Sequence, residues 1–322
     1  METIAESLKK IGIIPVIKID DPDRAVPLAR ALIAGGIPCA EITFRTAQAE
    51  EAIRRIRAEV PDILAGAGTV LTPSHVDRAV DAGAVFAVSP GYNPKTVERC
   101  REKGIPIFPG CSTPSDLEIA LEAGLTDLKF FPAEQAGGLD YIKALSGPFP
   151  QVRFIPTGGI NASNIASYLA FDKVLACGGS WMAGADLINS GNYEGVAALC
   201  REALRGIMGF SLAHVGINTQ NAGEALKAAG LFEALFGFAP KDGNSSVFAG
   251  DGVEIMKSPY LGKNGHIAIA VNSLIRAKAY LERRGAVFND ESAKIGAGGE
   301  VIAVYLRDEI AGFAVHLVQK KK

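Results

Sequence analysis

Lys129 stands in Asp127-Leu128-Lys129-Phe130-Phe131-Pro132, a short apolar run of strand-forming character with a cation at its centre. An ammonium without a partner is costly to bury and tends to give up its proton instead. A neutral amine is a nucleophile, and its usual chemistry is a Schiff base with a substrate carbonyl. The competing reading is a lysine whose stem lies along the strand while its head reaches water. A second run, Glu41-Ile42-Thr43-Phe44-Arg45, brings an acid. Period-two alternation puts Glu41, Thr43 and Arg45 on one face, with Ile42 and Phe44 on the other. The same parity sets Lys129 beside Phe131, opposite Leu128 and Phe130. A carboxylate and a lysine aimed into one interior read either as a buried ion pair that orients it or as a base beside an imine-forming amine.

Elements able to position these residues recur along the first two-thirds of the chain. Strand candidates are 13–19, 39–44, 63–69, 85–90, 106–111, 127–132, 152–157 and 173–177, separated by stretches such as 22–34, 47–60 and 73–82 with apolar residues at helical spacing. Eight strand–helix units in about 200 residues are the count of a (β/α)₈ barrel. An open doubly wound sheet is the alternative, but its dinucleotide fingerprint is missing. Barrels keep their chemistry at the carboxyl ends of the strands, often with phosphate held by the last two loops. The seventh candidate ends in Pro156-Thr157-Gly158-Gly159-Ile160 and the eighth in Cys177-Gly178-Gly179-Ser180-Trp181. Glycines there let backbone N–H groups approach an anion, so two Gly-Gly turns in these adjacent slots point to a phosphate site, against the reading of each alone as a tight loop.

The 322 residues are 48% hydrophobic with a formal net charge of −2, which gives no electrostatic reason to seek nucleic acid. No apolar run approaches membrane-spanning length, and the N-terminal residues lack the basic and apolar regions of a signal peptide, so a cytoplasmic location is expected. Five scattered cysteines without metal-ligand spacing fit reduced core thiols.

The runs 41–46, Gly66-Ala67-Gly68-Thr69-Val70, Ser89-Pro90-Gly91, Pro109-Gly110-Cys111-Ser112-Thr113, Lys129–Glu134, Pro156–Ile160 and Gly178–Trp181 together resemble the 2-keto-3-deoxy-6-phosphogluconate / 4-hydroxy-2-oxoglutarate aldolase family over roughly residues 5–206. The resemblance implies a trimeric class I aldolase that acts on a small-molecule substrate without a cofactor. It implies Lys129 as the Schiff-base lysine and Glu41 as general acid/base. Arg45 and Thr69 would hold the substrate carboxylate, Pro90 and Phe131 would line the pocket, and Thr157, Gly158, Gly159 and Ser180 would take the phosphate. Cys111 receives no role. The alternative is a barrel that binds a phosphorylated sugar acid without cleaving it; an amine in an apolar strand argues against that. Metal-dependent phosphate barrels need histidine and aspartate at strand ends, whereas the barrel's single histidine, His75, falls on a helical stretch.

After residue 208 the pattern changes. Residues 209–322 hold two weakly similar halves, each a strand, a helix and further strands, which suggests a pseudo-symmetric α+β module of two βαβββ-like repeats. Three of the four histidines fall here, each in a different strand-like run. Parity aligns His214 with Gly216, His266 with Ala268, and His316 with Ala314, while Glu254 again opposes aliphatic neighbours. Three imidazoles and a carboxylate on one sheet face suit a divalent transition metal. Taken singly, each histidine reads as a hydrogen-bonded core residue. The halves resemble the vicinal oxygen chelate (glyoxalase and bleomycin-resistance) superfamily, which implies metal ligands at His214, Glu254, His266 and His316. Glutamate is usual at the last position, so His316 departs from the pattern. A second enzyme, a ligand sensor and a structural appendage are the functions this tail could serve.

Overall fold

Ile13–Ile17 (β1) and Cys39–Thr43 (β2) are buried at every residue, Glu41 included. Strands covered on both faces by parallel neighbours and helices show this pattern; half-solvated strands do not. The computed structural model describes residues 2–320 and separates into two compact units, one ending at Ile207 and the other beginning at Met208. In the first unit, β1 and β2 are joined by Leu64–Gly68 (β3), Ala87–Val88 (β4), Ile107–Phe108 (β5), Asp127–Phe130 (β6), Arg153–Pro156 (β7) and Cys177–Gly179 (β8). The order is β5-β4-β3-β2-β1-β8, with β6 and β7 as a separate pair. Parallel bridges from Gly110 to Lys129 and from Thr157 to Gly178 join the two groups and close the circle. The unit is the expected (β/α)₈ barrel.

Helix starts are fixed by local chemistry. The helices Pro73–Asp81, Pro94–Lys103 and Pro114–Glu122 each carry proline at the first helical position, and Thr72, Asn93 and Thr113 cap them by side-chain hydrogen bonds. Proline costs nothing there because its missing N–H would have no helical partner. His75 lies in the first turn of the first of these helices, its ring 5.4 Å from that of Phe44 just past β2.

Three strand expectations need correction. The fourth and fifth strands shrink to two residues each, although Val85 and Ser89 still donate backbone hydrogen bonds to Ala65 and Phe108. Prolines at 90, 106 and 109 have no N–H to extend the ladder. The eighth strand is not 173–177 but Cys177–Gly179, so Gly178 and Gly179 lie within the strand and not in a loop beyond it. They are tolerated because their bare backbones pack closely: a Cβ on Gly178 would sit 2.3 Å from Thr157 Oγ1, and one on Gly179 2.0 Å from the Trp181 ring.

The second unit is one eight-stranded sheet. Its first half is Ser211–Asn218 (β9), the helix Ala222–Phe236, Pro240–Asp242 (β10), Ser246–Ala249 (β11) and Val253–Met256 (β12). The second half repeats the order with His266–Val271 (β13), the helix Leu274–Glu282, Phe288–Ile295 (β14), Val301–Leu306 (β15) and Ala314–Gln319 (β16). The sheet runs β10-β11-β12-β9-β13-β16-β15-β14, with the halves meeting where β9 pairs antiparallel with β13. Ala225 and Ala229 of the first helix pack on Val247, Ala249 and Ile255. Glu254 therefore faces away from that core, by the alternation of the strand. Among the described residues, no helix is long and apolar enough to cross a membrane.

Candidate active site

β6 and β2 bring Lys129 and Glu41 together inside the barrel. Lys129 Nζ lies 3.5 Å from Glu41 Oε1, with side chains only 7% and 3% exposed. The ammonium position is 5.4 Å from the centre of the Phe131 ring. Room for the carboxylate comes from Gly68 on β3, where a Cβ would stand 2.3 Å from Glu41 Oε1. A desolvated pair at this separation is a poor stabiliser, since lost hydration consumes most of the attraction. It does hold a nucleophile and a proton carrier within reach of one another.

A cavity of about 340 Å³ has a wall that includes Arg45, Thr157, Gly158, Gly159, Ser180 and the same Phe131 that faces Lys129; Lys129 and Glu41 themselves are not in its lining. Arg45 follows β2, is exposed, and has no ion-pair partner among the described residues. Gly158 and Gly159 adopt φ of 100° and 78°, a left-handed turn natural to glycine, and expose their backbone at the mouth. Thr69 and Pro90 are not part of this wall and flank the buried pair through backbone. Thr69 follows Gly68 with φ 57°, a conformation that costs a β-branched residue about 1 kcal/mol or more. Gly110, bridged to Lys129, packs so closely on Pro90 that a Cβ would lie 2.0 Å from the Pro90 carbonyl oxygen. Cys111 is buried, and burial pushes its thiol up to about 12, with nearby Asp116 adding to the effect; that leaves it unreactive.

In the second unit the cross-strand register sets Glu254, Gly216, His266 and Ala314 in one row, and His214, Ala268 and His316 in the next. Bulky donors thus alternate with glycine and alanine. A Cβ at Gly216 would meet the His266 ring at 2.0 Å. His214 Nε2, His266 Nε2 and Glu254 Oε2 form a triangle with edges of 3.3, 3.1 and 3.0 Å. The three imidazoles each offer a nitrogen within 4.8 Å of the others. Burial opposes ionisation of Glu254, but hydrogen bonds with His214, His266 and Ser246 outweigh it and hold the carboxyl well below the ordinary range. His316 is pushed down to about 3, first by burial and then by His266 and His214. Both His316 nitrogens and His266 Nδ1 are buried without a hydrogen-bond partner among the described residues.

Residues 4–199 match the KDPG and KHG aldolase family. The chain belongs to that family. A 2-dehydro-3-deoxy-phosphogluconate aldolase of Treponema pallidum is 51% identical over 205 residues, which are 64% of this chain and 98% of the relative. The KHG/KDPG aldolase of Escherichia coli K12 is 46% identical over 206 residues, 64% of this chain and 97% of the relative. Among solved structures, a KDPG aldolase from Legionella pneumophila, with pyruvate captured as a covalent carbinolamine, superposes at a TM-score of 0.61 and 42% identity. It covers 62% of this chain and 98% of its own.

Several residues at these sites escaped the sequence reading. Lys18, just past β1, lines the cavity. Its signal was its parity with Val16, but a lone lysine at a strand end reads as solvated. Ser246 donates to Glu254 Oε1 at 2.7 Å, and the Tyr305 ring lies 4.4 Å from that of His316. Both are cross-strand contacts that depend on register.

Proposed function

We propose that the barrel is a Schiff-base aldolase that cleaves 2-keto-3-deoxy-6-phosphogluconate to pyruvate and glyceraldehyde 3-phosphate, and 4-hydroxy-2-oxoglutarate to pyruvate and glyoxylate. The observation that carries this reading is the desolvated Lys129–Glu41 pair, with the Phe131 ring beside Lys129 also lining the cavity that holds Arg45 and the Thr157–Gly159 turn. Lys129 Nζ adds to the C2 carbonyl, and Glu41 relays the proton that lets water leave, forming a protonated imine. The C3–C4 bonding pair then flows into the imine while the C4 hydroxyl proton passes to Glu41, releasing the aldehyde and leaving an enamine. Protonation at C3 and addition of water return pyruvate and the free amine. Arg45 and Thr69 orient the carboxylate, Phe131 is the apolar side of the cavity, Pro90 packs on Gly110 beside Lys129, and Thr157, Gly158, Gly159 and Ser180 hold the phosphate. Incubation with either substrate should release pyruvate and aldehyde in equal amounts, measured by a coupled dehydrogenase assay. A folded protein that releases pyruvate from neither would leave only the binding-barrel reading. Family membership further supports a homotrimer and a cytoplasmic location. Sedimentation equilibrium at three times the chain mass checks the former.

For the second unit, the donor triangle favours a divalent metal centre of glyoxalase-like type. A tetrahedral ion with metal–nitrogen bonds of about 2.0–2.1 Å spaces its ligand nitrogens about 3.3 Å apart, and the His214–His266 separation is 3.3 Å. The partnerless nitrogens of His316 need a ligand for the same reason any buried polar atom does. His214, Glu254, His266 and His316 would hold the ion, which when bound supplies Lewis-acid character to a coordinated oxygen. Elemental analysis of purified protein should find about one metal per chain, lost in Glu254→Ala. Metal-free protein would leave a sensor or structural appendage.

A further inference from the structure

The cavity mouth carries a cation that the family's site residues leave unused. Lys18 follows β1, alternates with Val16, and lines the cavity together with it. β1 is the neighbour of β8, with Pro15 in register with Gly179, so Lys18 stands at the end of the strand beside Ser180. Among the described residues, the charged side chains in the cavity wall are Lys18 and Arg45. With Arg45 on the substrate carboxylate, the phosphate would otherwise meet backbone N–H groups and hydroxyls alone. Lys18 Nζ is held by Asp20, at 2.8 Å from Oδ1 and 3.0 Å from Oδ2, with both side chains about half exposed.

We propose that Lys18 is a specificity residue for the phosphorylated end of the substrate, an inference that rests on the aldolase reading above. An exposed lysine–aspartate pair is weakly held. A phosphate dianion with three acceptor oxygens is the stronger partner and draws the ammonium from Asp20 across the mouth. Asp20 keeps the lysine parked at the mouth and sets how readily it transfers. The ligand class selected is a 2-keto acid with a terminal phosphate, in preference to the same acid without it.

The test compares kcat/KM for 2-keto-3-deoxy-6-phosphogluconate with that for unphosphorylated 2-keto-3-deoxygluconate in wild type, Lys18→Met, Lys18→Arg and Asp20→Asn. Lys18→Met should lower the phosphorylated-to-unphosphorylated ratio by about tenfold to a hundredfold, the weight of one charge-assisted hydrogen bond, and the loss should fall in KM more than kcat. Inorganic phosphate should inhibit this variant less than wild type by a similar factor. Lys18→Arg should restore most of the ratio, and Asp20→Asn should raise it. An unchanged ratio in Lys18→Met, or equal losses on both substrates, would overturn the proposal while leaving the aldolase reading intact. A wild-type chain that cleaves neither substrate would remove both.

Discussion

The barrel pair and the histidine cluster place ionisable groups in apolar sheets, and they differ in how those groups are satisfied. Lys129 and Glu41 answer each other at 3.5 Å, a closed arrangement that needs nothing further to stand. The histidine cluster is open: Glu254 touches two rings, and His316 keeps both nitrogens without a hydrogen-bond partner among the described residues. A closed pair marks chemistry performed by the side chains themselves. An open set is what the proposed metal centre would require. Both rely on the same device, a glycine on the adjacent strand that makes room for the functional group: Gly68 for Glu41, Gly216 for His266.

Breaking the closed pair should have the largest effect. Lys129→Met is expected to lower cleavage by on the order of 10⁴-fold or more, measured as kcat/KM, since the covalent route is lost outright. Metal content of the purified chain should not change. Glu41→Gln should lower cleavage by about 10²–10⁴-fold. It should also lower barrel stability in denaturant unfolding, because the buried amine of Lys129 loses its carboxylate partner.

The open site should fail first in acid. In metal-stripped protein, burial first and then His266 and His214 hold His316 down to about 3 in the folded chain, so below pH 6.5 the unfolded state binds more protons. Its contribution is complete above about pH 6.5 and is lost as pH falls towards 3, up to roughly 5 kcal/mol. Glu254, held below its ordinary range, adds to the loss below its unfolded value. Circular dichroism across this window should show the second unit unfolding before the barrel, and His316→Leu should flatten the slope. A barrel that unfolds first would contradict the contrast. Gly216→Ala should have a smaller effect, about 1–3 kcal/mol of overpacking against the His266 ring, with weaker metal retention read by elemental analysis.

Much of the site was legible because strand parity is local. Glu41 with Arg45, and Lys129 with Phe131, follow from alternation in five or six residues, and so does the shared face of His214 and Gly216. What remained hidden depends on register between strands. The eighth strand slid past its apolar run onto Gly178 and Gly179 because Thr157 and Trp181 demand bare backbone there. Lys18 gains its meaning only from β8 beside it. The alternation of His266 with Gly216, and of His316 with Ala268, exists only once β9, β13 and β16 are aligned.

The reactivity of Lys129 is tested most directly by incubating the protein with pyruvate, reducing with borohydride, and mapping the added mass. A single reduced adduct on the peptide containing Lys129, absent in Lys129→Met, is expected. An adduct elsewhere, or none on folded protein, would contradict the assignment of this lysine as the imine-forming nucleophile.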